Sequence, residues 1–186
     1  MNTDTHRFRF PAFGALLLAL GLHTGCSVLP EPQADAVRYF TLSGAPTGTP
    51  AADAVMVRPV RLAGHLRNRN MAVRVSENEV VYLDDVRWAE PLDEAITQAL
   101  RNRLRQIGGG GAVTVQIQRC ELDRAAGDQV QLVATYAITP SGGEPVPGSF
   151  TATARTWNGG DHGSLVALLR QAVDELAEAI AGAAAK

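Results

Sequence analysis

Residues able to do chemistry are few in this chain and poorly grouped. Beyond the first 25 residues only His65 and His162 remain of the four histidines, and neither has a Cys or His beside it at metal-ligand spacing. Asp84-Asp85 and Asp93-Glu94 are adjacent carboxylates. Sequence neighbours rarely face one another, whereas acid–base catalysis needs groups that converge on one proton. Gly108 to Gly111 would suit a phosphate cradle if Gly-Lys-Ser/Thr led into a helix, but Ala112-Val113 follow. No G-x-S-x-G or H-E-x-x-H occurs. The expectation is a non-enzymatic protein with no catalytic, metal or cofactor residues.

Two other groupings carry chemistry of a different kind. Arg58, Arg61, Arg67, Arg69 and Arg74 place five cations in seventeen residues with no acid between them. They read as a contact for acidic lipid headgroups or an acidic partner surface, with a plain solvated face as the alternative. The second grouping surrounds Cys26. Residues 1–9 carry Arg7 and Arg9, and Phe13 to Leu22 is an uncharged apolar run of ten. That run is too short to span a membrane, which takes about 20 apolar residues. It fits the basic and apolar regions of a secretory signal peptide. Thr24-Gly25-Cys26 then resembles the lipobox of bacterial lipoproteins, where the cysteine receives a diacylglycerol and the peptide is cut just before it. His23 departs from that pattern, which usually has an aliphatic residue there. A plain signal peptide cut nearby and an uncut anchor are the alternatives.

Ser27 to Ala36 ("SVLPEPQADA") has two prolines, two acids and little to bury, so it reads as an extended tether. From Cys26 to Val37 it reaches about 35–40 Å at full stretch. Ser27 directly after the cysteine resembles the signal for outer-membrane sorting. The division expected is residues 1–25 as signal peptide, 26–36 as lipidated tether and 37–186 as one domain.

Composition bounds that domain. Removing residues 1–25 takes Arg7, Arg9 and Asp4 from 17 basic and 19 acidic residues, leaving 15 against 18 and a net charge of −3. No global positive field points to nucleic acid. Cys120 is left without an intramolecular partner if Cys26 is acylated, so the core must hold without a disulfide.

The elements that position these residues follow from periodicity. Val37–Leu42 and Val55–Val60 read as strands, the second stopped by Pro59. Leu62–Arg69 is a turn or short helix, and Met71–Ser76 with Glu79–Asp84 form a hairpin. A helix over 91–107 follows from Leu92, Ile96, Leu100 and Leu104, widened by Ala95, Ala99 and Ile107. Pro91 suits its first turn, and Asp93 and Glu94 lie at the positive end of the helix dipole. Trp88 is placed to pack back on Leu92 or Ile96. Val113, Val115 and Ile117 alternate, then the pattern shifts to Cys120 and Leu122, predicting a bulge near Gln118-Arg119. Leu132 to Ile138 is another alternating strand. Residues 140–149 read as a loop, Phe150–Trp157 as a last strand and Ser164–Ala181 as a closing helix with a fraying Ala-rich tail. Many strands with few crossover helices predict a mixed sheet.

"YFTL" (39–42), "VRPVRLAGHLRNRNMAVRVSENEV" (57–80) and "RWAEPLDEAITQAL" (87–100) resemble the ABC-type transport auxiliary lipoproteins, the PqiC/YmbA-like family. The resemblance implies a single α/β domain: a mixed β-sheet with amphipathic helices packed on its faces, similar to the anticodon-binding-domain fold. It implies a subunit that docks an MCE-domain protein, with its ABC permease and ATPase, to the outer membrane through acylated Cys26. A homo-oligomer is a further option. Tyr39, Leu42, Arg74, Trp88, Glu90, Pro91 and Leu92 would be the family-motif residues bordering an interface. A stand-alone structural or assembly lipoprotein of the outer membrane is the alternative reading.

Overall fold

A computed structural model describes residues 36–185 other than 47 and 109. The chain runs through Arg38–Phe40 (β1), Met56–Val57 (β2), Arg61–Leu62 (β3), a 3-10 turn at Gly64–Arg67, Asn70–Ser76 (β4) and Glu79–Trp88 (β5). Helix Leu92–Leu104 (α1) follows, then Ala112–Asp123 (β6), Gln129–Thr139 (β7), Val146–Thr151 (β8), Arg155–Thr156 (β9) and helix His162–Ala184 (α2).

The frame is the antiparallel pair β6–β7, in which Val113, Val115 and Ile117 alternate inward against Ile138, Tyr136 and Ala134. The register shifts between Ile117 and Arg119, which is the expected bulge. After it, Cys120 and Leu122 turn to the core. One edge of β6 takes three parallel partners in succession: β2 at Ala112–Val113, β3 at Gln116–Ile117 and β4 at Leu122–Asp123. β4 continues antiparallel to β5, and β5 takes β1 in parallel at the margin. The sheet is therefore mixed and open.

Both helices lie on one face of it and touch each other. Arg103 of α1 donates to Asp174 of α2 at 2.9 Å. On the opposite face Met56, Thr114, Gln116 and Thr135 are exposed. The stripe of α1 is buried as its period requires, with Leu92, Ile96, Leu100 and Leu104 at 4 % exposure or less. Burying each such side chain contributes about 1.5–3 kcal/mol. Pro91 occupies the N-cap position without a side-chain cap, and Asp93 and Glu94 fill the first turn. Thr97 lies inside this helix and is buried because it accepts from the amide of Val60 at 2.9 Å. That bond ties the β2–β3 segment to α1.

Four stretches differ from the sequence reading. The strand expected over Val55–Val60 splits around Pro59, and the chain rejoins β6 only at Arg61. The loop expected over 140–149 gives way to β8 at Val146. Pro147 is tolerated there because, among the described residues, β8 pairs on one side only. The strand expected over Phe150–Trp157 breaks at 152–154, so that β8 and β9 pair with different parts of β7. The tail expected to fray stays helical through Ala184. Its start is fixed by Asp161, whose side chain accepts from the amide of Gly163.

Candidate functional site

Strand β1 brings the two short motifs together. Tyr39 stands in register with Arg87 and Phe40 with Trp88, and the amide of Ala89 donates to the carbonyl of Phe40 at 2.8 Å. Beyond the paired residues, Glu90 accepts from Ser43 Oγ at 2.6 Å and from Thr41 Oγ1 at 3.0 Å. Arg170 of α2 reaches the same place, donating to the carbonyls of Leu42 at 3.1 Å and Thr41 at 3.2 Å. "YFTL" and "RWAEPL" thus form one corner, where the first strand, the entry to α1 and the middle of α2 meet.

Within this corner the motif residues divide by role. Leu42, Trp88 and Leu92 are buried and hold the corner to the core. Glu90 and Pro91 shape the turn into α1. Tyr39 is 55 % exposed, so packing does not account for it. Its neighbour Arg87 has a buried Nε with no hydrogen-bond partner among the described residues. At the rim, Arg38 pairs with Asp161 at 2.7 Å, and this guanidinium holds the Asp161 carboxyl below its ordinary range. The sequence reading missed Arg170, Thr41 and Ser43, although Thr41 belongs to the quoted "YFTL".

The arginine cluster separates in space. Arg74 turns inward: its Nε donates to Glu121 Oε1 at 2.6 Å, and Glu121 has no exposure. His65 Nε2 lies 3.0 Å from the second carboxylate oxygen. Arg74 is therefore structural and not part of a surface patch. Arg58 and Arg61 lie on the open face beside a groove, whereas Arg67 and Arg69 are exposed around the 3-10 turn. The expected signal peptide, Cys26 and the expected tether through residue 35 lie outside the described residues. Among the described residues no three His, Cys, Asp or Glu side chains are grouped to hold a metal ion. No helix there is long and apolar enough to cross a membrane.

A mixed sheet with two helices on one face, its first strand clipped to the corner before α1, defines an α/β domain whose ordered surfaces are a motif corner and an open sheet face. A family model described as the ABC-type transport auxiliary lipoprotein component matches residues 40–181, and the chain belongs to that family. Two solved structures are similar in fold. One, titled crystal structure of uncharacterized protein, has a TM-score of 0.62 at 15 % identity, covering 77 % of this chain and 95 % of that one. The other, protein XCC0632 from Xanthomonas campestris of the DUF330 family, has a TM-score of 0.62 at 16 % identity, with 78 % and 93 % covered. No match was found among curated proteins.

Proposed function

We propose that the chain is a non-enzymatic, lipid-anchored subunit of an ABC/MCE-type intermembrane lipid transport system, which docks the MCE component to the outer membrane. The observation that carries this reading is the family match over residues 40–181, since the family is an auxiliary component of ABC transport. Acylation of Cys26 would tether the domain to the membrane within about 35–40 Å. Tethering raises its effective concentration at a partner spanning the periplasm. The domain's first described residue, Ala36, stands beside the motif corner, so the tether joins the domain near exposed Tyr39 and its register neighbour Arg87. Tyr and Arg are among the side chains enriched at the energetic centres of protein interfaces, and these two supply the contact with the MCE protein.

Affinity purification of the full-length lipoprotein from detergent-solubilised native envelopes tests the reading. Stoichiometric recovery of an MCE protein with its permease and ATPase is expected, and Tyr39→Ala should lower that recovery without unfolding the domain. Recovery of the lipoprotein alone, or with an unrelated outer-membrane protein, would replace this reading by a structural or assembly role. Cys26→Ala should leave a folded domain that no longer fractionates with membranes.

A further inference from the structure

The open face of the sheet carries a groove of about 670 Å3 running from the β2–β3 segment to β8. This is within the range of small-molecule sites, about 300–1,000 Å3. Arg58 and Arg61 stand on one side and Pro147 on the other, with Thr114, Thr135 and Ala137 across the floor. We propose that this groove binds the headgroup of a single anionic phospholipid, with the two guanidinium groups on its phosphodiester.

Charge is the first argument. Arg38, Arg74, Arg103 and Arg155 each meet a carboxylate of this chain. Arg58 and Arg61 pair with no acid among the described residues, and no acidic residue lines the groove. Two guanidinium groups without an acidic partner among the described residues are complementary to a phosphate ester, whose oxygens accept the paired donors of arginine.

Position is the second. The amide of Arg58 donates to the carbonyl of Val113 at 3.0 Å, and Arg61 is in register with Gln116, so strand backbone fixes both residues. Thr135 Oγ1 accepts from Gln118 Nε2 at 3.0 Å, so its own hydroxyl proton is not used in that bond. The small uncharged floor leaves room for a glycerol unit.

The shape decides between candidate occupants. A free phosphate ion is held best where several converging N–H groups enclose it, as at a helix N-terminus, and this groove is broad and open. An acidic peptide would gain affinity by pairing with a free strand edge. The floor strands β6 and β7 are paired on both sides, and β8, whose outer edge has no partner among the described residues, places at the rim Pro147, which has no N–H to donate.

The test titrates the full-length lipoprotein, in nonionic detergent, with dihexanoyl phosphatidylglycerol, dihexanoyl phosphatidylcholine and inorganic phosphate. The phosphatidylglycerol should bind at least tenfold more tightly than the phosphatidylcholine and resist displacement by phosphate. The double variant Arg58→Gln/Arg61→Gln should lose at least tenfold in affinity, and Ala137→Glu, which places a carboxylate on the floor, should do the same. Arg67→Gln/Arg69→Gln removes equal charge outside the groove and should change affinity less than twofold. Equal losses in the two double variants would mean diffuse charge attraction and overturn the proposal. Displacement by phosphate alone, or equal affinity for the two lipids, would overturn it as well. Failure here leaves recovery of the transporter subunits unaffected, so this site and the docking role are tested separately.

Discussion

Arg74 donates across 2.6 Å to Glu121, a carboxylate with no exposure on the sheet face that neither α1 nor α2 covers. His65 shields it from one side, held in place by Tyr82, whose hydroxyl donates to the His65 carbonyl at 3.0 Å. Arg74 also donates to the Glu77 carbonyl at 3.0 Å, so one side chain fixes both the β4–β5 turn and the contact of β4 with β6.

Removing one partner leaves the other charge enclosed and unpaired, which typically costs about 3–5 kcal/mol. Arg74→Ala should therefore lower the unfolding free energy by about that amount in urea titrations. Arg74→Met combined with Glu121→Leu should recover most of the loss. If the single variant costs less than about 1 kcal/mol, the pair behaves as a solvated surface bridge and the enclosure described is wrong.

Glu90 holds the motif corner through two hydroxyls. Glu90→Ala should weaken the attachment of β1 by about 1–3 kcal/mol, the usual result of deleting hydrogen bonds to a charged group. The effect should be local. Amide exchange should accelerate at Ala89, which bonds to the Phe40 carbonyl, while the β6–β7 amides keep wild-type protection. Uniform acceleration across the sheet would mean that β1 is integral to global stability.

Acid should loosen the α2 side of the domain. Arg155 donates to Glu175 and holds its carboxyl below the ordinary range, and Arg38 does the same for Asp161. In the unfolded chain these groups return to about 4.3 and 3.9. The unfolded state then takes up protons first as pH falls, so the contribution is intact above about pH 4.5 and is lost as pH drops through the depressed folded values. The thermal midpoint should be flat from pH 7 to 5 and fall below that. Glu175→Gln should lower the midpoint at pH 7 and flatten the acid limb. An unchanged acid limb in that variant would remove Glu175 from the account.

Thiol chemistry separates the two cysteines. Burial pushes the Cys120 thiol up to about 12, with the Glu121 carboxylate adding to the effect. The nucleophilic thiolate is then scarce at pH 8. Iodoacetamide should leave Cys120 unmodified in the folded protein and alkylate it in denaturant. With Cys26 acylated, one thiol per chain reacts in denaturant and the intact mass includes the acyl groups. Two reactive thiols would exclude lipidation.

Much of the helical part of this fold could be read from residues alone. The fourfold spacing of Leu92, Ile96, Leu100 and Leu104 and the stripe of α2 need no partner to be recognised, because amphipathic period is a local property. The bulge after Ile117 was visible for the same reason, as an interruption of period two. Less local features were hidden. Nothing in "QRCELD" marks Glu121 as enclosed, because its partners Arg74 and His65 lie 47 and 56 residues away. β8 looked like a loop because Pro147 and Gly148 are poor strand formers. Only its place at the edge of β7, with Gly148 opposite Tyr136, makes them acceptable. For the candidate site, the motifs were legible as words, but their meeting in one corner depends on a parallel pairing across nearly fifty residues.

The placement of β1 has a mechanical consequence. A pull on the chain at Ala36, directed along the strand, shears the three pairs with β5 together instead of opening them in turn. Past Phe40 the same load reaches the carbonyls of Thr41 and Leu42, which Arg170 grips, and the buried side chain of Leu42. Force entering at Ala36 is thus shared between the rim of the sheet and α2.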